Sequence, residues 1–82
     1  MGRHSPRRAR IVFYDVAREQ LEAMNDAELA RLDLALDIIA ADPQIGVQSK
    51  NGSVRTYQQD RVRVVYVPTA LGTLVLVAYV EA

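Results

Sequence analysis

The chain contains no cysteine, and this absence excludes disulfide bonds, thiolate metal sites and a cysteine nucleophile. A chain without cysteine suits a reducing compartment, so we expect the protein in the cytoplasm. No apolar run approaches the roughly 18 residues of a membrane span, and we expect no membrane association. The basic first residues are not followed by the apolar segment of a secretion signal.

Histidine and glycine are also scarce, which narrows the chemistry open to the chain. The only histidine is His4, in a segment without periodicity, and we predict neither a metal site nor a cofactor. No glycine-rich phosphate loop and no Gly-x-Ser-x-Gly motif is present. The acidic residues of the middle segment are spaced as the solvated face of helices. Conventional catalytic machinery is therefore absent from the sequence.

Half of the residues are hydrophobic, enough for one modest core. We expect a single domain at 10–82, preceded by a basic flexible arm at 1–9. The net charge is zero, but residues 1–14 carry +4, residues 15–42 carry −6 and residues 43–82 carry +2. If the middle segment is helical and the ends form a sheet, the molecule is bipolar and its basic face suits an anion. A pair of solvated acidic helices explains the same charges.

Hydrophobic periodicity predicts a strand and two helices, followed by three further strands. In chain order these are a strand at 10–14, helices at 16–24 and 27–41, a loop at 44–52, a hairpin at 54–66 and a strand at 73–80. Asp15 and Asn25-Asp26 supply helix N-caps, and Asp42-Pro43 ends the second helix. The last strand is continuously apolar, which predicts burial on both faces. The fold class is α+β, with two N-terminal helices packed on a small antiparallel-rich sheet in the order β-α-α-β-β-β.

The hairpin at 54–66 carries the side chains best suited to a ligand. Alternation along its second strand places apolar residues on one face and Arg61 and Arg63 on the other. We expect Arg55 and Tyr57 of its first strand to join them on the open face. Guanidinium groups bind phosphate bidentately and a phenol ring can stack on a base, so the group suits RNA. The alternative is an exposed sheet that uses arginine to discourage edge pairing.

Several short motifs accompany this order of elements. They are the helix end Asp42-Pro43, the loop with Lys50 and Gly52, Arg55-Thr56-Tyr57, Arg63-Val64-Val65-Tyr66 and the apolar strand at 74–80. Together they resemble the RelE/ParE superfamily of bacterial type II toxins, over residues 10–80. The resemblance implies that Arg63 lies in a concave RNA-binding face and that Arg55 occupies the matching position on the preceding strand.

The resemblance further implies the toxin of a toxin–antitoxin pair, restrained by a cognate antitoxin and cleaving mRNA on the ribosome without a metal ion. Taken with the residues of the hairpin and its loop, the candidate catalytic residues are Arg63, Arg55 and Tyr57, and the candidate RNA-binding residues are Lys50, Arg55, Arg61 and Arg63. Arginine does not readily exchange a proton, so Tyr57 and Tyr79 are the nearby candidates for proton transfer. We expect Tyr79 to serve instead in strand packing.

The sequence departs from the ribonuclease pattern at its end. RelE-type ribonucleases carry further basic, aromatic or histidine residues after the last strand, and this sequence stops at Glu81-Ala82. The alternative is therefore a non-catalytic protein of the same fold, either a gyrase inhibitor or a homologue that mainly binds its antitoxin. A homodimer is a further expectation, because a small domain with a modest core often needs a partner.

Overall fold

The computed structural model describes residues 8–50 and 52–82, in which two helices cover one face of a five-stranded sheet. The elements are β1 Arg10–Phe13, α1 Asp15–Glu22, α2 Asp26–Ala41, β2 Val47–Gln48, β3 Arg55–Gln59, β4 Val62–Pro68 and β5 Leu74–Glu81. The strand order is β1-β5-β4-β3-β2, with β1 parallel to β5 and the other pairs antiparallel. The predicted α+β class and order of elements are confirmed. The segment predicted as a loop also contains the short strand β2.

Capping fixes the start of each helix. The Asn25 side chain accepts the Glu28 N–H and the Glu28 carboxylate accepts the Asn25 N–H, both at 2.8 Å, which is a capping box. The predicted cap before α2 is therefore confirmed. Asp15, in contrast, is the first residue of α1, and Tyr14 occupies the N-cap position without a side-chain bond. The prediction that Asp15 is an N-cap was wrong by one position.

The core lies between the helices and one face of the sheet. Its largest fully buried side chains are Tyr66, Leu32, Ile39, Val64, Val75 and Val77. Alternation along β4 correctly predicted that Val62, Val64 and Tyr66 face inward. No described element covers the other face of the sheet. The prediction that β5 is buried on both faces was therefore wrong, since Leu74 and Leu76 are only half-buried.

Contacts with α2 begin before the first strand. Residues 1–7, most of the predicted arm, lie outside the described residues. Arg8 forms an ion pair with Asp37 at 2.9 Å. Ala9 is buried and donates its N–H to the carbonyl of Ala40 at 2.9 Å. Within the described part of the chain, neither helix is long and apolar enough to cross a membrane.

Candidate functional site

We call the uncovered side of the sheet the open face. Residues directly opposite each other on neighbouring strands point to the same side, so the register assigns its members. Arg63 lies opposite Gln58 on β3 and Glu81 on β5. The other members are Arg10, Val12, Val47, Thr56, Val65, Val67, Leu74, Leu76 and Tyr79. The open face is therefore largely apolar, with Arg63 near one end.

Arg55 and Tyr57 do not lie on the open face, and the prediction of their position was wrong. The register places Arg55 opposite Tyr66 and Tyr57 opposite Val64, and both partners are fully buried on the helix side. Tyr57 is itself only 8% exposed and belongs to the core. Two of the three predicted catalytic side chains are thus on the opposite side of the sheet from Arg63.

The length of the hairpin turn explains this difference. Gln59 pairs with Val62, so the turn consists of Asp60 and Arg61 alone. Asp60 adopts left-handed backbone with φ of 56°, a conformation that aspartate tolerates. A two-residue turn sets odd-numbered residues of β3 beside even-numbered residues of β4. A turn longer by one residue would have placed Arg55 and Tyr57 beside Arg63, because one step of register moves every side chain to the other face.

Arg55 and Tyr66 instead hold the segment that follows α2. The Arg55 guanidinium donates from Nη1 to the carbonyl oxygens of Gly46 at 2.6 Å and Gln44 at 2.9 Å, and from Nη2 to Gln44 Oε1 at 2.7 Å. The Tyr66 hydroxyl donates to the Pro43 carbonyl and accepts the Gly46 N–H, both at 2.9 Å. Burial raises the pKa of Tyr66, which keeps this hydroxyl protonated. These contacts give Arg55 a role in the fold.

The remaining predicted RNA contacts are spread along the hairpin. Arg61 is exposed in the turn, two residues before Arg63. Lys50 is exposed in the loop between β2 and β3, beyond the Arg55 end of β3. Arg63 lies opposite Gln58, which is three residues along β3 from Arg55. At the usual rise of a strand, this spacing corresponds to about 10 Å. The structure therefore keeps Lys50 well away from Arg63.

Arg63 lies beside Tyr79 and Glu81 of β5. The guanidinium carbon lies 5.9 Å from the centroid of the Tyr79 ring, within the range of a cation–π contact. The Tyr79 hydroxyl donates to Glu81 Oε2 at 2.6 Å, and this hydrogen bond raises the pKa of Tyr79. Glu81 was not singled out in the sequence. The one available signal was its spacing of two residues from Tyr79, which puts both side chains on the same face of a strand.

Charge is distributed unequally between the two layers. The helices carry seven of the ten acidic residues of the chain and only two of its ten cations, Arg18 and Arg31. The open face carries Arg10 and Arg63 with Glu81 as its single acid. The negative charge of the molecule thus lies mainly on the helix layer, away from the open face.

Neither protein-family models nor curated proteins give a match to this chain. Among solved structures, a chain of the toxin–antitoxin complex RelBE2 from Mycobacterium tuberculosis superposes with a TM-score of 0.70. The match covers 90% of this chain and 96% of that chain, at 14% sequence identity. The chain therefore has a RelE-like fold, as the resemblance implied.

Proposed function

We propose that this protein is the toxin of a type II toxin–antitoxin module, acts in the cytoplasm, and inhibits translation by cleaving mRNA on the ribosome through its open face. The observation that carries the proposal is the RelE-like fold, shared over nearly the whole length of both chains with a chain from a toxin–antitoxin complex. Arg63 lies on the sheet face that no described element covers, and this position supports the choice of the open face as the RNA surface.

The charges of the open face favour a polyanion on this side of the molecule. The acidic helix layer repels phosphates, while Arg63 and the adjacent turn residue Arg61 attract them. The Arg63 guanidinium makes no hydrogen bond or ion pair with any described residue. Its fork of donors is therefore available to a phosphate, which guanidinium binds bidentately.

A second surface suits the antitoxin. A groove of about 670 Å³ lies along α2 beside α1 and β1. Its apolar lining includes Ile11, Phe13, Leu21, Leu29 and Leu36. Asp26 and Asp33 border the groove, and Asp37 at its edge is paired with Arg8. We assign this groove to an antitoxin segment that has apolar side chains flanked by lysine or arginine, because such a segment matches both the lining and the charge.

Inducible expression of the chain with and without the product of the neighbouring reading frame tests the proposal. Wild type alone should slow growth and cut mRNA in a translating extract, and the neighbouring product should co-purify with it and relieve both effects. Arg63→Gln should weaken cleavage, whereas Arg18→Gln, which removes the same charge from α1, should leave it unchanged. A folded wild-type protein that affects neither growth nor mRNA contradicts the proposal.

The second candidate function is a non-catalytic inhibitor of gyrase, or a homologue that mainly binds its antitoxin. One observation favours it: Arg55 and Tyr57, two of the three implied catalytic residues, lie on the helix side and serve the fold. A gyrase supercoiling assay run beside the mRNA assay separates the functions. Inhibited supercoiling with intact mRNA supports the gyrase inhibitor, and antitoxin binding with neither effect supports the homologue.

A further inference from the structure

A bulge in β5 determines which way Tyr79 and Glu81 point. Val65 of β4 pairs with Tyr79 and Tyr66 pairs with Val77, so Ala78 has no partner on β4. As a result, Val77 faces the helices and Tyr79 faces the open side. Strict alternation from Val77 would have turned Tyr79 and Glu81 toward the helices instead. Bulges re-aim side chains and are frequent beside functional sites. This bulge brings a phenol and a carboxylate to the same end of the open face as Arg63.

Arg63 and Glu81 are cross-strand partners that form no ion pair with each other. Opposite charges in this position commonly pair. Here Glu81 Oε2 accepts the Tyr79 hydroxyl at 2.6 Å, and the Arg63 guanidinium lies over the Tyr79 ring. Among the described residues, the ion pair of Arg8 with Asp37 is the only one. The guanidinium donors and the second carboxylate oxygen, Oε1 of Glu81, are therefore available to a ligand.

The chemistry of this cluster selects RNA among polyanions. A phosphate explains Arg63, but the neighbouring carboxylate of Glu81 repels phosphate and, when ionised, is only a hydrogen-bond acceptor. The ligand must therefore present a hydroxyl or N–H donor close to its phosphate. The 2′-hydroxyl of ribose is such a donor, and it is the group by which proteins distinguish RNA from DNA.

We propose that Arg63, Tyr79 and Glu81 form a site for the ribose and phosphate of RNA, in which Glu81 binds the 2′-hydroxyl and acts as the base toward it. Its reaction rests on the proposed function. The 2′-oxygen attacks phosphorus, so that the O2′–P bond forms and the P–O5′ bond breaks, leaving a 2′,3′-cyclic phosphate and a free 5′-hydroxyl. The 2′-hydroxyl proton passes to Glu81. Tyr79 protonates O5′ and recovers a proton from Glu81 through their hydrogen bond.

Each side chain has a role consistent with its environment. Arg63 stabilises the charge that develops on the phosphate oxygens, as a fixed cation close to the reacting phosphorus. A tyrosine hydroxyl is protonated at neutral pH, so Tyr79 has a proton to give, and its hydrogen bond to Glu81 Oε2 holds it beside the base. After this proton transfer, Tyr79 is again protonated and Glu81 is again ionised, as they were before the reaction. In this proposal an acid and a base are both supplied from β5.

Binding of matched oligonucleotides tests the site without requiring cleavage. The protein is titrated at low ionic strength with an all-RNA oligomer and with the all-DNA oligomer of the same sequence, and amide shifts of β4 and β5 are followed by NMR. Wild type should prefer RNA to DNA by about tenfold, the effect of one hydrogen bond to a charged group. Glu81→Gln should lose this preference, Arg63→Gln should weaken binding of every oligomer, and Glu22→Gln on α1 should match wild type. Equal binding of RNA and DNA by wild type, or an RNA preference that survives Glu81→Gln, overturns the site.

A cleavage assay in a translating extract separates failure of the site from failure of the proposed function. Glu81→Gln and Tyr79→Phe should each lower the rate by about 10²- to 10⁴-fold, the usual contribution of a general base or acid. Glu22→Gln, which removes a carboxylate from the exposed side of α1, is the matched control for Glu81→Gln. An RNA preference that depends on Glu81, together with intact mRNA, refutes the proposed function but upholds the site. Full cleavage by both variants upholds the function and overturns the site.

Discussion

Replacement of Tyr66 by phenylalanine should remove a structural hydroxyl without creating a large cavity. Tyr66 is fully buried, and its hydroxyl links β4 to the segment between α2 and β2. In Tyr66→Phe the Gly46 N–H loses its acceptor and the Pro43 carbonyl loses its donor. Gly46 is buried, whereas Pro43 is half-buried and its carbonyl can turn toward water. The main cost is therefore one unsatisfied N–H.

The expected loss of stability follows from that single group. Leaving a buried hydrogen-bonding group unsatisfied costs about 1–3 kcal/mol. For a chain of 82 residues, the usual unfolding entropy per residue gives about 170 cal/mol/K. Each kcal/mol then lowers Tm by about 6 °C, so Tyr66→Phe should melt about 6–18 °C below wild type.

Thermal and urea unfolding followed by circular dichroism measure this effect. Tyr14→Phe is the matched control, because Tyr14 is 48% exposed and its hydroxyl bonds to no described residue. It should change the unfolding free energy by less than about 0.5 kcal/mol. A Tyr66→Phe protein as stable as this control would refute the assignment of the hydroxyl to the segment that follows α2.

The stability of wild type should also depend on pH in a way that Tyr66→Phe does not share. Burial raises the pKa of Tyr66 above its ordinary value of 10.0, although the hydrogen bond from Gly46 and the charge of Arg55 oppose the rise. In the window above pH 10 the unfolded chain releases this proton before the folded chain does, so stability falls as pH rises. The difference in urea midpoint between wild type and Tyr66→Phe should narrow between pH 9 and pH 11. A constant difference would show that the hydroxyl is not buried.

Three further predictions concern the stability of the fold, and a fourth concerns the oligomeric state. Gly46→Ala should destabilise the fold, because a Cβ at this position would lie 2.7 Å from the Tyr66 hydroxyl oxygen, and a lowered urea midpoint would show it. Arg55→Met should lower Tm by several degrees through loss of three hydrogen bonds, whether or not the protein cleaves RNA. Asn25→Ala should cost about 1 kcal/mol through loss of the capping box, measured by urea unfolding. A homodimer stays a prediction, and a sedimentation coefficient that does not rise at micromolar concentration would contradict it.

Local signals predicted the elements of this fold but not the faces of its hairpin. The Asn25 capping box and Pro43 mark the ends of α2 in the sequence itself, because the interactions that form them are a few residues apart. The side on which Arg55 lies depends on whether the hairpin turn has two or three residues, and the polar residues around Asp60 permit either. The face of the sheet to which Tyr79 points depends on the bulge at Ala78, and nothing in a continuous run of apolar residues marks the position of that bulge. The register depends on how two strands pair, so the sequence of one strand does not determine it.

The contrast between Arg55 and Arg63 shows how this limits functional inference from arginine-rich hairpins. Arg55 and Arg63 lie on neighbouring strands, and both are positions that the family resemblance singled out. The Arg55 guanidinium is hydrogen-bonded to backbone carbonyls, whereas the Arg63 guanidinium has its donors available. Loss of activity in a variant of either residue is therefore ambiguous when activity alone is measured. An Arg55 variant should lose activity in proportion to its loss of stability and regain it at lower temperature. If the proposed role of Arg63 is right, an Arg63 variant should lose activity at unchanged Tm and stay inactive on cooling, because only the proposed contact with phosphate is removed.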